Sequence, residues 1–231
     1  MKTNITSRAG CFTPSSAWRL MTNNKKGDGF GAQGLSYIAE KKHELKLGRQ
    51  ISIEKNPRSA SWGTFLQHRV LNVLLDTSYK PVSDKRFQHP VFPNVNGSPD
   101  FLRDGEIGDI KCFELLEFCR THDAATAGHE TFKKECEDIF WQLVMNCDIH
   151  NVSKGHMVLY VPYQNELNTI REEAEATDEH RFSWIKFASD DELPYLLPDH
   201  HYPNLSSFTF DITEADRMAL TNRVLQAVNM L

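Results

Sequence analysis

Asp100, Asp109 and Lys111 lie within twelve residues of one another in the stretch GSPDFLRDGEIGDIKCF (Gly97–Phe113). Around them stand Phe101, Leu102, Ile107, Ile110 and Phe113, apolar residues between turn signals, which predict strands. Asp104-Gly105 predicts a two-residue hairpin loop. Arg103 then faces Glu106, so residues whose numbers sum to 209 are cross-strand partners, and Asp100 faces Asp109. Their Cβ atoms would lie about 4.5–5.5 Å apart, and like charges at that distance destabilise a sheet. Lys111, two residues beyond Asp109, shares its face. The arrangement makes little sense as architecture but does make sense around a divalent cation. Hard carboxylate oxygens suit Mg²⁺ or Mn²⁺, and a neighbouring ammonium can orient or help deprotonate a metal-bound water. The competing reading is an exposed hairpin whose charges simply face solvent.

The elements that must position this hairpin are legible from periodicity. Thr13–Thr22 (TPSSAWRLMT) predicts a helix start with Thr13 as N-cap and Pro14 at the first helical position. A polar, glycine-rich loop follows over Asn23–Gly34. Helical spacing covers Leu35–Lys46 and Ala60–Leu75. Phe87–Val95 predicts an edge-like or bulged strand, because Pro90 and Pro93 interrupt it. Beyond the hairpin come a helix over Thr131–Cys147, a buried strand over His156–Val161, a charged helix over Asn165–Thr177, and an amphipathic helix over Thr213–Leu231 capped by Thr213. This order predicts one α/β domain over residues 1–231, a mixed central sheet flanked by helices.

Composition sets the outer limits. The 231 residues are 40% hydrophobic and 25% charged, an ordinary soluble composition. No run of about 18 apolar residues exists to span a membrane. The start MKTNITSRAGCF has no apolar signal core. Five cysteines, never in C-x-x-C spacing, fit free thiols in a reducing compartment, with cytoplasm as the expectation. Net charge is −5, yet residues 1–111 hold 17 Lys/Arg against 10 Asp/Glu, while residues 112–231 hold 9 against 21. A locally basic face is what phosphate contacts require.

The S-P-D and D-I-K segments resemble the PD-(D/E)xK nuclease signature. Three further segments sharpen the likeness: RAGCFTPSS (Arg8–Ser16), SWGTFLQHRVL (Ser61–Leu71) and WQLVMN (Trp141–Asn146). In order and spacing they resemble the lambda exonuclease-like group, the alkaline exonucleases of viral recombination systems. The resemblance implies a restriction-endonuclease-like core. It also implies that Asp100, Asp109 and the Ile110 carbonyl hold Mg²⁺, with Mn²⁺ as a substitute. Lys111 and Gln142 would serve the attacking water, and Arg8 and Ser15 would grip a terminal 5′-phosphate. The implied activity is 5′-to-3′ digestion of double-stranded DNA to 5′-mononucleotides, leaving 3′ single strands for recombination. A ring-shaped homotrimer, a single-strand annealing partner and a phage or prophage origin in a bacterial host belong to the same expectation.

Two departures from the group stand out. Asp109 replaces the usual glutamate, an allowed alternative, and Gln67 replaces the acid of the W-G-x-x-x-E helix. Gln67 is therefore a weak metal ligand at best, and leaves open a catalytically impaired DNA-end-binding module. A structure- or sequence-selective endonuclease on the same fold is the other alternative. His68, the Asp199-His200-His201 run and the glycine-rich loop at Gly27–Gly34 read better as surface or loop than as sites. Trp18, Phe30, Tyr37 and Trp62 read better as core than as base-stacking groups.

Overall fold

The computed structural model describes residues 9–51, 58–82 and 86–231. The predicted hairpin forms in the predicted register. Strands β4 (Phe101–Arg103) and β5 (Glu106–Lys111) pair Arg103 with Glu106, Leu102 with Ile107 and Phe101 with Gly108. Asp104 and Gly105 both take positive φ, 42° and 84°. That backbone twist joins antiparallel strands in two residues, which is why Asp-Gly is used here.

Short β1 (Lys80–Pro81) pairs with β4 on one side. On the other side β5 runs parallel to β6 (Lys154–Tyr160), and β6 pairs antiparallel with β7 (Leu205–Asp211). The sheet order is β1-β4-β5-β6-β7, a mixed sheet as expected. A second, two-stranded piece joins β2 (Phe87–Gln88) to β3 (Asn96–Gly97).

The parallel β5–β6 pair needs a long crossover. It is supplied by α4 (Leu115–Thr126), α5 (His129–Glu135) and α6 (Glu137–His150). Helix α6 is buried on nearly every side, and with α1 (Ala17–Met21), α2 (Ala32–Leu47) and α8 (Glu214–Val228) it covers the Ile107 and Met157 face of the sheet. The opposite face, bearing Phe101, Ile110 and Val158, packs on α3 (Arg58–Arg69) and α7 (Leu167–Ala176). Buried Arg69 ties those two helices together through Glu166 and Glu173. Strand β5 is thus covered on both faces, with side chains alternating between α6 and α3.

Several expected boundaries move for identifiable reasons. Thr13 makes no side-chain cap; Pro14–Ser16 forms a 3₁₀ turn ahead of α1. The Ala60–Leu75 helix starts at Arg58 and ends in a widened turn over Val70–Leu74. The strand expected over Phe87–Val95 survives only at its first two residues. His89 Nδ1 accepts the N–H groups of Val91 (3.0 Å) and Phe92 (3.2 Å) and folds the segment back on itself. Thr131–Cys147 is broken at Cys136 into α5 and α6. Thr213 does cap α8, its hydroxyl accepting the Asp216 N–H at 3.1 Å.

Gly108 is the tightest point of the hairpin. A Cβ there would lie 2.1 Å from Cζ of Phe101 and 2.7 Å from the His156 carbonyl oxygen. The fully buried Phe101 ring therefore lies over its glycine partner and seals the sheet face beneath the two aspartates. Gly108→Ala should destabilise the protein by about 1–3 kcal/mol, the usual cost of overpacking. Urea denaturation checks this; an unchanged midpoint would contradict the close approach.

Candidate active site

The hairpin delivers Asp100, which stands just ahead of β4 with its N–H on the Gly108 carbonyl (2.9 Å), and Asp109 of β5 to one cavity of about 190 Å³. Asp109 is buried and Asp100 half-buried, both lining the cavity. One Asp100 oxygen, Oδ2, accepts the Ile110 N–H at 2.7 Å, which fixes the carboxylate against the far end of the hairpin's return strand. Asp109 Oδ2 accepts from Asn146 Nδ2 at 3.2 Å. Lys111 Nζ donates to Gln142 Oε1 at 2.7 Å. Gln142 and Asn146 are one helical turn apart on α6, so one face of that helix holds two successive same-face residues of β5.

From the other side of the sheet, Gln67 on α3 reaches the same strand. Its Nε2 donates to the Ile110 carbonyl at 2.7 Å. Asp100, Asp109, Lys111, Gln142 and Gln67 all line the one cavity. His68 instead points away, exposed, its ring against Phe182. Phe30, Tyr37 and Trp62 are buried in the core, and Asp199, His200 and His201 are exposed.

The far wall of the cavity comes from the amino-terminal segment and the β2–β3 region: Thr13, Pro14, Ser15, Arg86, Asn96, Gly97 and Ser98. These segments are strapped together. Phe12 N–H donates to the Asn94 carbonyl (2.7 Å) and the Asn96 N–H to the Phe12 carbonyl (3.1 Å). Tyr37 Oη accepts the Thr13 N–H (3.0 Å), and buried Glu44, paired with Lys41, accepts the Gly10 N–H (2.9 Å). Ser15 thereby reaches the cavity rim, exposed. Arg8 lies outside the described residues.

Sequence reasoning missed Arg86, Asn96, Ser98 and Asn146. Ser98 sits in the S-P-D stretch itself, and Asn146 was recoverable as the residue one turn beyond Gln142. Arg86 and Asn96 had no signal, because their placement depends on the fold-back at His89. Asn96 has a buried amide nitrogen with no hydrogen-bond partner among the described residues. An orphaned buried donor costs roughly 1–3 kcal/mol and calls for a ligand or water. Gly97 lets this wall close: a Cβ there would lie 2.7 Å from Pro14 Cγ and 2.8 Å from Asn146 Oδ1.

The electrostatics follow from burial and pairing. Burial, then the Asp109 charge, push the Asp100 carboxyl up to about 7, against the pull of the Ile110 N–H and of Lys111. Burial also raises Asp109, while Lys111, Asn146 and Gln142 draw it back. Two such groups cannot both ionise cheaply without a neighbouring cation. Burial also pushes the Cys112 thiol, beside Asp100, far above its ordinary range and so favours the neutral thiol. Among the described residues no group of three or more His, Cys, Asp or Glu side chains converges.

No protein-family model matches the chain, and no curated protein matches it in sequence. Solved structures do. LHK-Exo, an alkaline exonuclease from Laribacter hongkongensis, matches in its complex with dAMP at TM-score 0.63 and 17% identity, over 96% of this chain and 88% of that one. A second LHK-Exo structure matches at 0.59 and 16%, over 95% and 89%. A phage-related exonuclease from Haemophilus somnus 129PT matches at 0.64 and 14%, over 99% and 94%. The chain has the fold of the alkaline exonucleases. On that exonuclease fold the hairpin expected from Asp-Gly carries the paired acids, and the match extends through α8, well beyond the four sequence segments.

The raised Asp100 carboxyl has a consequence for stability without metal. Its folded pKa, about 7, lies above the model-peptide value of 3.8, so the folded chain binds the proton more tightly. Stability must then fall as pH rises from about 4 to about 7, and level off above. In EDTA, Asp100→Asn should make that decline shallower, the rest belonging to buried Asp109, and leave the variant more stable than the parent at pH 8. Urea melts at pH 5 and pH 8 decide it; parallel pH profiles for the two proteins would contradict the buried pair.

Proposed function

We propose that the chain is a divalent-cation-dependent exonuclease that digests one strand of double-stranded DNA from its 5′ end to 5′-mononucleotides. The observation that carries this reading is a single cavity with two walls of complementary chemistry. One wall presents two neighbouring carboxylates and a tethered ammonium; the other is lined by hydroxyl side chains and Arg86. The first suits a hard cation at a scissile phosphate, the second a phosphate group.

The donor set fits Mg²⁺ or Mn²⁺. Asp100 and Asp109 would hold the ion, beside the Ile110 carbonyl, and its charge would relieve the repulsion that burial imposes on them. When bound, it supplies Lewis acidity toward a phosphoryl oxygen and a more acidic water. Lys111, held by Gln142, points a fixed positive charge at the phosphate where negative charge develops during in-line attack. Asn146 holds one oxygen of Asp109 and so fixes how the carboxylate faces the cavity. Thr13, Ser15, Asn96 and Ser98 offer donors to a terminal 5′-phosphate, with Arg86 on the same wall. Arg8, by its place in the amino-terminal motif, joins that group. The homotrimer and the annealing-protein partner rest on the family resemblance.

A linear duplex with one 5′-phosphorylated and one 5′-hydroxyl end tests this directly. With Mg²⁺ the protein should release mononucleotides from the phosphorylated end, and EDTA should stop it. Lys111→Ala should cost about 10²–10³ in kcat, the typical loss for one transition-state donor. Ser15→Ala should act mainly on KM for the phosphorylated end. Cleavage of a covalently closed circle would favour an endonuclease. Absence of hydrolysis with both Mg²⁺ and Mn²⁺ would leave an end-binding module.

A further inference from the structure

We propose that this site takes one divalent cation, not two, and that Gln67 is the residue that fixes the number. The inference rests on the metal-dependent reading above and deepens it.

The first support is the identity of the hydrogen bond between α3 and β5. Gln67 approaches the Ile110 carbonyl at 2.7 Å. Only the amide nitrogen can face a carbonyl oxygen at that distance, because the opposite flip would set two acceptors against each other. The Gln67 N–H therefore places positive hydrogen charge on the oxygen beside the aspartate pair. A carboxylate in the same place could not do this. Facing the Ile110 carbonyl, it would need a proton or a cation between the two oxygens. The amide meets with an internal hydrogen bond a demand that an acid would meet by recruiting a second ion.

The second support is charge. Among the described residues Asp100 and Asp109 are the acids lining the cavity, and Lys111 lines it too. One dication between the aspartates finds two anionic ligands. A second would have to be held by carbonyl, amide and water oxygens beside the Lys111 ammonium. Hard dications are ordinarily retained by carboxylates or by phosphate oxygens, and the described residues offer no third acid here.

The test is stoichiometry. The metal-free protein is titrated with Mn²⁺, and the free aquo ion is followed by electron paramagnetic resonance. One equivalent should bind to the parent protein and none should bind at this site in Asp109→Asn. Gln67→Glu should bind two, and Gln67→Ala should still bind one. Circular dichroism melts check that each variant is folded. If Gln67→Glu fails to fold, the parent and Gln67→Ala still decide the count. Two equivalents in the parent, both lost in Asp109→Asn, would overturn the inference while leaving the metal-dependent reading intact. A single equivalent in folded Gln67→Glu would also overturn it. No Mn²⁺ bound by the parent would overturn the metal-dependent reading itself.

Discussion

Two carboxylates brought together in one buried cavity by a hairpin are the constraint around which this molecule is organised. The Asp-Gly loop fixes the register of residues 101–103 against 106–108, and that pairing carries Asp100 and Asp109 to the same end of the hairpin. Isolated, such a pair would weaken the sheet. Here it is surrounded by groups that each deal with part of the repulsion. The Ile110 N–H holds Asp100, Asn146 holds Asp109, and Lys111 supplies the compensating charge from the same face. What remains uncompensated appears as raised proton affinity, the state a dication would replace.

The surrounding architecture is arranged to bring those groups to one strand. A parallel β5–β6 pair demands a long crossover, and that crossover ends in α6, seated against the hairpin face that bears Asp109 and Lys111. The other face of β5 receives α3, held to α7 through Arg69, and α3 brings Gln67 to Ile110. The opposite cavity wall is built from the amino-terminal segment and the two-stranded β2–β3 piece. Pairing of Phe12 with residues 94–96, and the anchors at Tyr37 and Glu44, hold it in place.

How much of this could be read from the chain depended on how local the determinant was. The hairpin register was legible because a two-residue turn and a period of two leave one solution. Gln142 was legible through its motif, and its helical neighbour Asn146 could have been. The strand expected over Phe87–Val95 was lost because His89 captures two backbone donors, which periodicity does not register. The break at Cys136, helix α4 and strand β7 depend on packing against distant elements. Arg86 and Asn96 reach the cavity only once those non-local features exist.

The claim at the centre is that the Asp100–Asp109 pair retains a proton when empty and exchanges it for a cation. The most direct measurement is calorimetric titration of Mg²⁺ into the metal-free protein at pH 6.5, in two buffers of different ionisation heat. Metal binding to a protonated site must release the proton. The account predicts binding with proton release for the parent and no binding for Asp109→Asn. Binding without proton release, or binding that survives Asp109→Asn, would contradict it.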